Sequence, residues 1–304
     1  MSGIQATEIQ RLLLPGARPG SGKVTVITGP TASGKSALAI DMALRRGLHI
    51  INADSRQVYH GIPIVTAMPS AEELAAVPHH LIDFLPLEAY YSAGRFEEDA
   101  LRVARSEIER CGEALLCGGS MMYVDAFCHG IDQLPEVPSH IREATYADWQ
   151  RLGDAWALDQ LARLDPEYRA IVDPANMKRV VHALEIIRTS GTTFTSLRTG
   201  TRRHRDFDIE LIWIEMPREL LFSRINTRVD AMVAAGLEEE AKSVYARRGL
   251  NSLNTVGLKE MFAWFDGSMD RATAIERIKK NTRVYAKKQI TWHRRRLESL
   301  KAES

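Results

Sequence analysis

The hydrophobic pattern changes character twice along the chain. Val24-Thr25-Val26-Ile27-Thr28 is a short β-branched run, the composition of a strand buried in a parallel sheet. A glycine-rich turn follows, then Ser36-Ala37-Leu38-Ala39-Ile40-Asp41-Met42-Ala43-Leu44, which is rich in helix formers. Further strands are predicted at His49-Ile50-Ile51-Asn52-Ala53 and at Ala114-Leu115-Leu116-Cys117, the latter running into Gly118-Gly119. Between them, residues 97–110 repeat Leu101, Ala104 and Ile108 on one helical face. Strands alternating with helices predict an α/β domain with a parallel sheet flanked by helices.

After Gly130 the pattern becomes helical, from Ile141 to about Ile187, with breaks at Asp165-Pro166 and Asp173-Pro174. Strand character returns only at Ile209-Glu210-Leu211-Ile212-Trp213-Ile214. The simplest organisation is an all-helical insertion of about 70 residues, an ordinary size for a small lobe. Residues 131–202 would form it, within a core of residues 23–130 and 203–304. From Pro217 the chain is helical again, interrupted near Gly249 and Gly267. Residues 1–22 contain Pro15, Pro19 and four glycines with little periodicity, and read as a flexible lead-in.

Composition narrows the class. The 304 residues, 45% apolar, are enough for one large domain or a core with a smaller lobe. Forty Lys+Arg against 39 Asp+Glu argue against a uniformly basic nucleic-acid binder and against an acidic disordered chain. The run Leu12-Leu13-Leu14 stops at Pro15, too short for a signal-peptide core. No run approaches the roughly 20 apolar residues of a membrane span, so a cytoplasmic protein with no membrane partner is expected. Cys111, Cys117 and Cys128 lack CxxC spacing and read as structural. His79-His80 have no further ligands at a metal-binding spacing and read as structural too.

The candidate chemistry begins at Gly29-Pro30-Thr31-Ala32-Ser33-Gly34-Lys35-Ser36, a full match to G-x-x-x-x-G-K-[ST] lying between a strand and a helix. Glycines let successive N–H groups point at a polyanion, the helix N-terminus adds positive potential, and Lys35 adds a cation. The Ser36 hydroxyl suits Mg²⁺. The fold expected is therefore P-loop NTPase-like, and the ligand a di- or triphosphate.

By motif alone an NTPase or a small-molecule kinase comes first. Yet the third strand ends without the acidic residue that usually helps hold Mg²⁺ in those enzymes. The carboxylate instead follows the second strand, at Asp54 in Asn52-Ala53-Asp54-Ser55-Arg56-Gln57-Val58-Tyr59. In a parallel sheet the carboxyl ends of adjacent strands face one crevice, which suits Asp54 as a base or metal-positioning group. A helix N-cap is the equal alternative.

The ordered segments GPTASGKS, ADSRQVY, VPHHLID, YSAGRF, GGSMMY, KRVVHALE, RINTRVDAM, AGLEEEA and YAKKQITW, from about Val24 to Arg296, together resemble the tRNA dimethylallyltransferases, also called tRNA isopentenyltransferases. The resemblance implies transfer of a dimethylallyl group from dimethylallyl diphosphate to N6 of the adenosine at tRNA position 37, beside the anticodon, with release of diphosphate. Gly29 to Ser36 would cradle the diphosphate, with Mg²⁺ held partly through Ser36. Asp54 would be the base, with Ser120 and Arg228 also catalytic. The matching tRNA-contact positions are Asp54, Ser55, Arg56, Gln57, Ser120 and Arg142, then Lys178-Arg179-Val180-Val181-His182 on the insertion, and Thr255-Val256-Gly257-Leu258-Lys259-Glu260.

The partners implied are the anticodon stem-loop of tRNA and dimethylallyl diphosphate, in a monomer without an obligate protein partner. The chain departs from the family pattern at Val65, where glycine is usual, at Met68, where lysine is usual, and at Leu258, where tyrosine is usual.

RNA binding requires phosphate neutralisation. Residues 271–304 hold eleven Lys and Arg with Tyr285 and Trp292 interleaved, against Glu276, Glu298 and Glu303. Arg198, Arg202, Arg203 and Arg205 form a second basic cluster. The rival readings are an adenylate isopentenyltransferase, which needs neither an insertion nor a basic stretch, a phosphate-loop kinase, and a non-catalytic RNA-binding relative.

Overall fold

The computed structural model describes residues 8–14, 16, 20–200 and 203–303. The chain divides into two compact units, residues 1–129 with 204–304, and residues 130–203.

The first unit is built on six strands: β1 (Glu8–Leu14), β2 (Lys23–Thr28), β3 (Ile50–Asn52), β4 (His79–His80), β5 (Glu113–Cys117) and β6 (Asp208–Glu215). Their spatial order is β1-β6-β2-β5-β3-β4, and every pairing except β1 with β6 is parallel. Alternate residues of one strand feed two faces. Val24 and Val26 join Ile51, Phe96 and Leu116 in one cluster. Ile27 joins Ala39, Ile50, Leu115 and Ile212 in another. The expected α/β fold with a flanked, mostly parallel sheet is present.

Residues 8–14 do not belong to a lead-in. They form β1, antiparallel to β6 from Glu8↔Glu215 to Leu14↔Ile209. Leu12 and Leu14 pack against the core, Leu13 points outward, and Arg11 reaches Glu210 at 3.1 Å. Three consecutive leucines conceal this alternation, and the partner strand lies about two hundred residues away. Residues 1–7, Pro15 and Pro19 lie outside the described residues.

Helices α1 (Lys35–Arg46), α2 (Pro63–Thr66), α3 (Ala71–Ala76), α4 (Ala93–Cys111) and α5 (Met121–His129) belong to this unit. Local chemistry sets their ends. Gly47 and Gly112 close α1 and α4 in the left-handed conformation. Ser70 and Glu73 form a capping box on α3, and the Ser92 hydroxyl accepts Arg95 N–H at the start of α4.

The second unit contains α6 (Ser139–Leu164), α7 (Pro166–Ile171), α8 (Met177–Ser190) and α9 (Phe194–Leu197). Gly153, at φ 81°, kinks α6. Leu161, Tyr168, Val180, Leu184 and Phe194 are among the residues of its core. Asp165 caps α7 through Tyr168 N–H at 3.0 Å and also accepts Thr195 N–H at 2.7 Å, so one carboxylate holds two short helices in place.

After β6 the first unit resumes with α10 (Arg218–Ala234), α11 (Leu237–Val244), two 3₁₀ turns, α12 (Leu258–Phe265) and α13 (Arg271–Glu303). Among the described residues no helix is long and apolar enough to cross a membrane.

Candidate active site

The sheet order brings three strand ends together, because β5 lies between β2 and β3. The phosphate loop leaves β2 and turns through Ser33 N–H to Pro30 O at 3.2 Å. Ala32 and Gly34 adopt positive φ, 64° and 96°, which curls the loop before α1 begins. Ser33 Oγ is buried and has no hydrogen-bond partner among the described residues, whereas Ser36 is exposed at the start of α1. Burial pulls the Lys35 ammonium down, Cys117 and Asp54 oppose this, and Arg228 adds to it. The Cys117 thiol beneath the loop is pushed up to about 11 by burial, so it is neutral, and its Sγ lies 3.7 Å from Lys35 O.

Asp54 follows β3. Its Oδ1 accepts Arg56 N–H at 2.9 Å and Gln57 N–H at 3.4 Å. The capping reading is thus half realised: the carboxylate closes a turn, and no helix begins before Pro63. Oδ2 accepts no hydrogen bond among the described residues. Gly118 follows β5 with its Cα against Ala53, where a Cβ would collide with the carbonyl, and Ser120 N–H donates to Ala53 O at 3.2 Å. Ser120 is buried and leads into α5.

Helix α10 supplies Arg228, whose Nη1 donates to Thr31 Oγ1 and Nη2 to Ala67 O, both at 3.5 Å. Burial lowers its guanidinium, with Asp54 opposing and Arg224 reinforcing. These groups border a cavity of about 550 Å³. Thr31, Asp54, Ser55, Arg56, Arg228, Thr255, Val256, Gly257 and Lys259 line it, together with Tyr285 and Lys288 of α13. The rest of the lining is largely apolar, with Val65, Ile225, Val229, Met232, Leu237 and Ile278. An open carboxylate oxygen, cations and an apolar wall around one cavity suit a reaction between an anionic leaving group and an apolar fragment.

Other positions are committed to the protein itself. Arg56 donates to Asn251 O at 3.0 Å and Asn254 O at 3.4 Å, and Gln57 Nε2 donates to Thr66 O and Ala67 O, both at 3.0 Å. Leu258 and Glu260 are buried, and Glu260 accepts Gly257 N–H at 2.8 Å and Asn281 Nδ2–H at 2.7 Å. Val65 packs its Cγ2 against Gly257, which at φ 101° has no room for a side chain. Glu240 accepts the Ile64 and Val65 N–H groups at 2.7 and 2.8 Å, fixing this wall of the cavity.

In the second unit, Lys178 and Arg179 are exposed on α8 while Val180 and Val181 are buried in its core. Arg142 Nε lies 4.0 Å from Glu185, which His182 Nδ1 also approaches at 3.4 Å.

The two basic clusters do not remain intact. Arg205 is 7% exposed, and it donates to Glu97 at 2.8 Å and to Phe127 O at 2.7 Å. It belongs to the core, because a buried carboxylate needs a cationic partner. Arg198 lies over the rings of Tyr168 and Phe194 at 5.3 and 5.6 Å, and Arg202 lies outside the described residues. On α13, Arg271, Lys279, Arg294 and Arg296 are ion-paired with Glu238, Asp230, Glu215 and Asp125 respectively. Arg277, Lys280, Lys287, Lys288 and Arg295 are exposed.

His80 and His49 both approach Glu107 Oε1, at 3.1 and 3.0 Å, while Arg110 holds Oε2 at 2.6 Å. These partners come from other elements, so spacing around His79-His80 did not reveal them.

Two site-bordering residues were not singled out from sequence. Gln289 of α13 accepts Thr31 N–H at 2.9 Å and donates to Gly119 O at 2.8 Å. The Arg224 guanidinium lies over Gly34, where an added Cβ would be 3.6 Å from Nη2. The available signal was a glutamine on the apolar face of a strongly charged helix, four residues before His293.

Comparison with known proteins places the chain in a family. A family model described as IPP transferase matches residues 57–296. A tRNA dimethylallyltransferase of Porphyromonas gingivalis is 48% identical over 270 residues, covering 89% of this chain and 90% of its own. One of Bacteroides fragilis is 47% identical over 270 residues, with the same coverage of 89% and 90%. The crystal structure of a tRNA isopentenylpyrophosphate transferase of Bacillus halodurans is similar with a TM-score of 0.61 at 35% identity, covering 90% of this chain and 87% of that one. A eukaryotic dimethylallyltransferase, seen in crystallographic snapshots acting on tRNA, is similar with a TM-score of 0.73 at 27% identity, covering 89% of this chain and 69% of that one. With a family match over most of its length and relatives nearly half identical across nine-tenths of it, the chain belongs to the IPP transferase family.

Proposed function

We infer that the protein transfers a dimethylallyl group from dimethylallyl diphosphate to N6 of the adenosine at tRNA position 37 and releases diphosphate. The observation that carries this reading is one cavity lined by Asp54, Thr31 and Arg228 together with an apolar wall. A kinase has no use for that wall, whereas a five-carbon group needs one.

The adenine amine is a weak nucleophile because its lone pair is delocalised into the ring. As N6 attacks C1 of the dimethylallyl group, the C–O bond breaks and its electron pair leaves with diphosphate. The N6 proton passes to Asp54 Oδ2, since Oδ1 is occupied by the Arg56 and Gln57 N–H groups. Negative charge grows on the departing oxygens, and the loop from Gly29 to Ser36, Lys35 and Arg228 stabilise it. Ser120, carried on the Gly118-Gly119 turn, offers its hydroxyl to the adenosine.

The donor set fits Mg²⁺. The Ser36 hydroxyl is exposed at the helix start, Ser33 Oγ is unpartnered in the loop, and the substrate brings its own phosphate oxygens. Bound there, the ion supplies further charge for the leaving diphosphate.

The adenosine must leave the anticodon-loop stack to reach Asp54. Ser55, Thr255, Val256, Gly257 and Lys259 border its entry, with Arg56, Gln57, Leu258 and Glu260 holding that border in shape. The helical insertion contributes Arg142, Lys178, Arg179 and His182 as phosphate and ribose contacts, and buried Val180 and Val181 fix their helix. The exposed cations of α13 neutralise further phosphates.

Incubation with labelled dimethylallyl diphosphate, Mg²⁺ and undermodified tRNA should place label on N6 of one adenosine. Label in AMP, or γ-phosphate transfer from ATP, with none in tRNA would overturn the reading.

A further inference from the structure

We propose that Gln289 is the positioning residue that sets the diphosphate loop against the Gly118–Ser120 turn. A carboxamide carries an acceptor and a donor on one rigid end. Gln289 uses both: Oε1 accepts Thr31 N–H at 2.9 Å and Nε2 donates to Gly119 O at 2.8 Å. The residue is 2% exposed, between Ala286 and His293, also buried on α13. Gly119 is buried, so its carbonyl has no ready exchange with water.

Both contacts sit one step from a reacting group. Thr31 accepts Arg228 through its hydroxyl, and Gly119 precedes Ser120. The fit around Gly119 is close. A Cβ there would lie 2.8 Å from Gln289 Nε2, 3.3 Å from Lys35 Cε and 3.4 Å from Gly29 O. Among the described residues no other side chain hydrogen-bonds both the loop and this turn. Gln289 also stands one residue beyond Lys288, which lines the cavity. One helix therefore lines the substrate cavity and fixes the diphosphate cradle.

The inference deepens the transferase reading and rests on it. Gln289→Met keeps the length and apolar stem but removes both polar atoms. Misplacing reacting groups by even about 1 Å can cost a hundred-fold in rate. The variant should therefore raise the KM for dimethylallyl diphosphate and the Kd of inorganic diphosphate with Mg²⁺ by about ten-fold or more, and lower kcat, with tRNA affinity within about two-fold of the parent. Ala274→Gly, a buried change fifteen residues earlier on the same helix, should lower Tm and leave KM unchanged.

In a double-mutant cycle, Gln289→Met should add little to the kcat loss of Ser120→Ala, because the two act through one turn. Parent-like KM and diphosphate affinity in Gln289→Met, or an equal KM shift in Ala274→Gly, would overturn the proposal. Failure of the parent protein to modify tRNA would instead overturn the transferase reading, and the diphosphate titration would still test Gln289.

Discussion

Arg228 reaches Thr31 with Nη1 to Oγ1 at 3.5 Å, joining α10 to the phosphate loop across 197 positions of sequence. The same guanidinium also donates to Ala67 O, and both partners line the cavity. A lysine presents a single ammonium and cannot reproduce the fork. Arg228→Ala is expected to lower kcat/KM by about 100-fold, the scale of losing one charge-stabilising donor, and Arg228→Lys should recover little of it. Steady-state kinetics with dimethylallyl diphosphate varied at saturating tRNA check both.

Asp54→Ala should lower kcat by about 10²- to 10⁴-fold, the range for loss of a general base. Filter binding should show tRNA affinity within a few-fold of the parent. Turnover at the parent rate would remove Asp54 from the chemistry.

Arg205 and Glu97 are both buried and paired at 2.8 Å. Arg205→Met takes a buried cation away from the Glu97 carboxylate and should destabilise the fold by about 3–5 kcal/mol in urea unfolding. Adding Glu97→Leu should restore part of that stability. Affinity for tRNA in the folded fraction should stay unchanged, which an RNA-contacting arginine would not allow.

His293 stacks on Trp213 with ring centroids 3.6 Å apart, and its Nε2 is buried without a partner among the described residues. Burial lowers the imidazole to about 4 from an ordinary value of 6.5. Between those values the unfolded chain binds the proton and the folded chain does not, so stability rises with pH. The contribution is fully present above about pH 6.5 and falls as pH drops to about 4, by up to about 3 kcal/mol. His293→Phe keeps an aromatic ring on Trp213 and should flatten this part of the stability–pH curve. Chemical denaturation at pH 4.5, 5.5 and 7 measures the difference.

The core strands and the site motifs were legible because their causes are local. A β-branched run, a glycine where φ must be positive and a proline after an aspartate act within a few residues. They mark β2, the curl of the phosphate loop, and the helix breaks near Asp165 and Asp173. Asp54 was legible as a candidate for the same reason, since strand ends in a parallel sheet face one crevice. Its capping alternative was also visible, but sequence could not say that the turn takes one carboxylate oxygen and spares the other.

Sequence by itself determined the kind of sheet, the phosphate-loop motif and the resemblance that family membership bears out. Tertiary structure alone decided what each charge and each polar atom does. Arg205 and the exposed Arg277 look alike in sequence, yet one is sealed against Glu97 and the other faces water. Gln289 acquires its place from Thr31 and Gly119, 258 and 170 positions away. Residues 8–14 become a strand only because β6 offers an edge. The physical reason is common to all three. Backbone preference is written in neighbouring residues, whereas desolvation and hydrogen bonding depend on which distant groups the fold brings within about 3 Å.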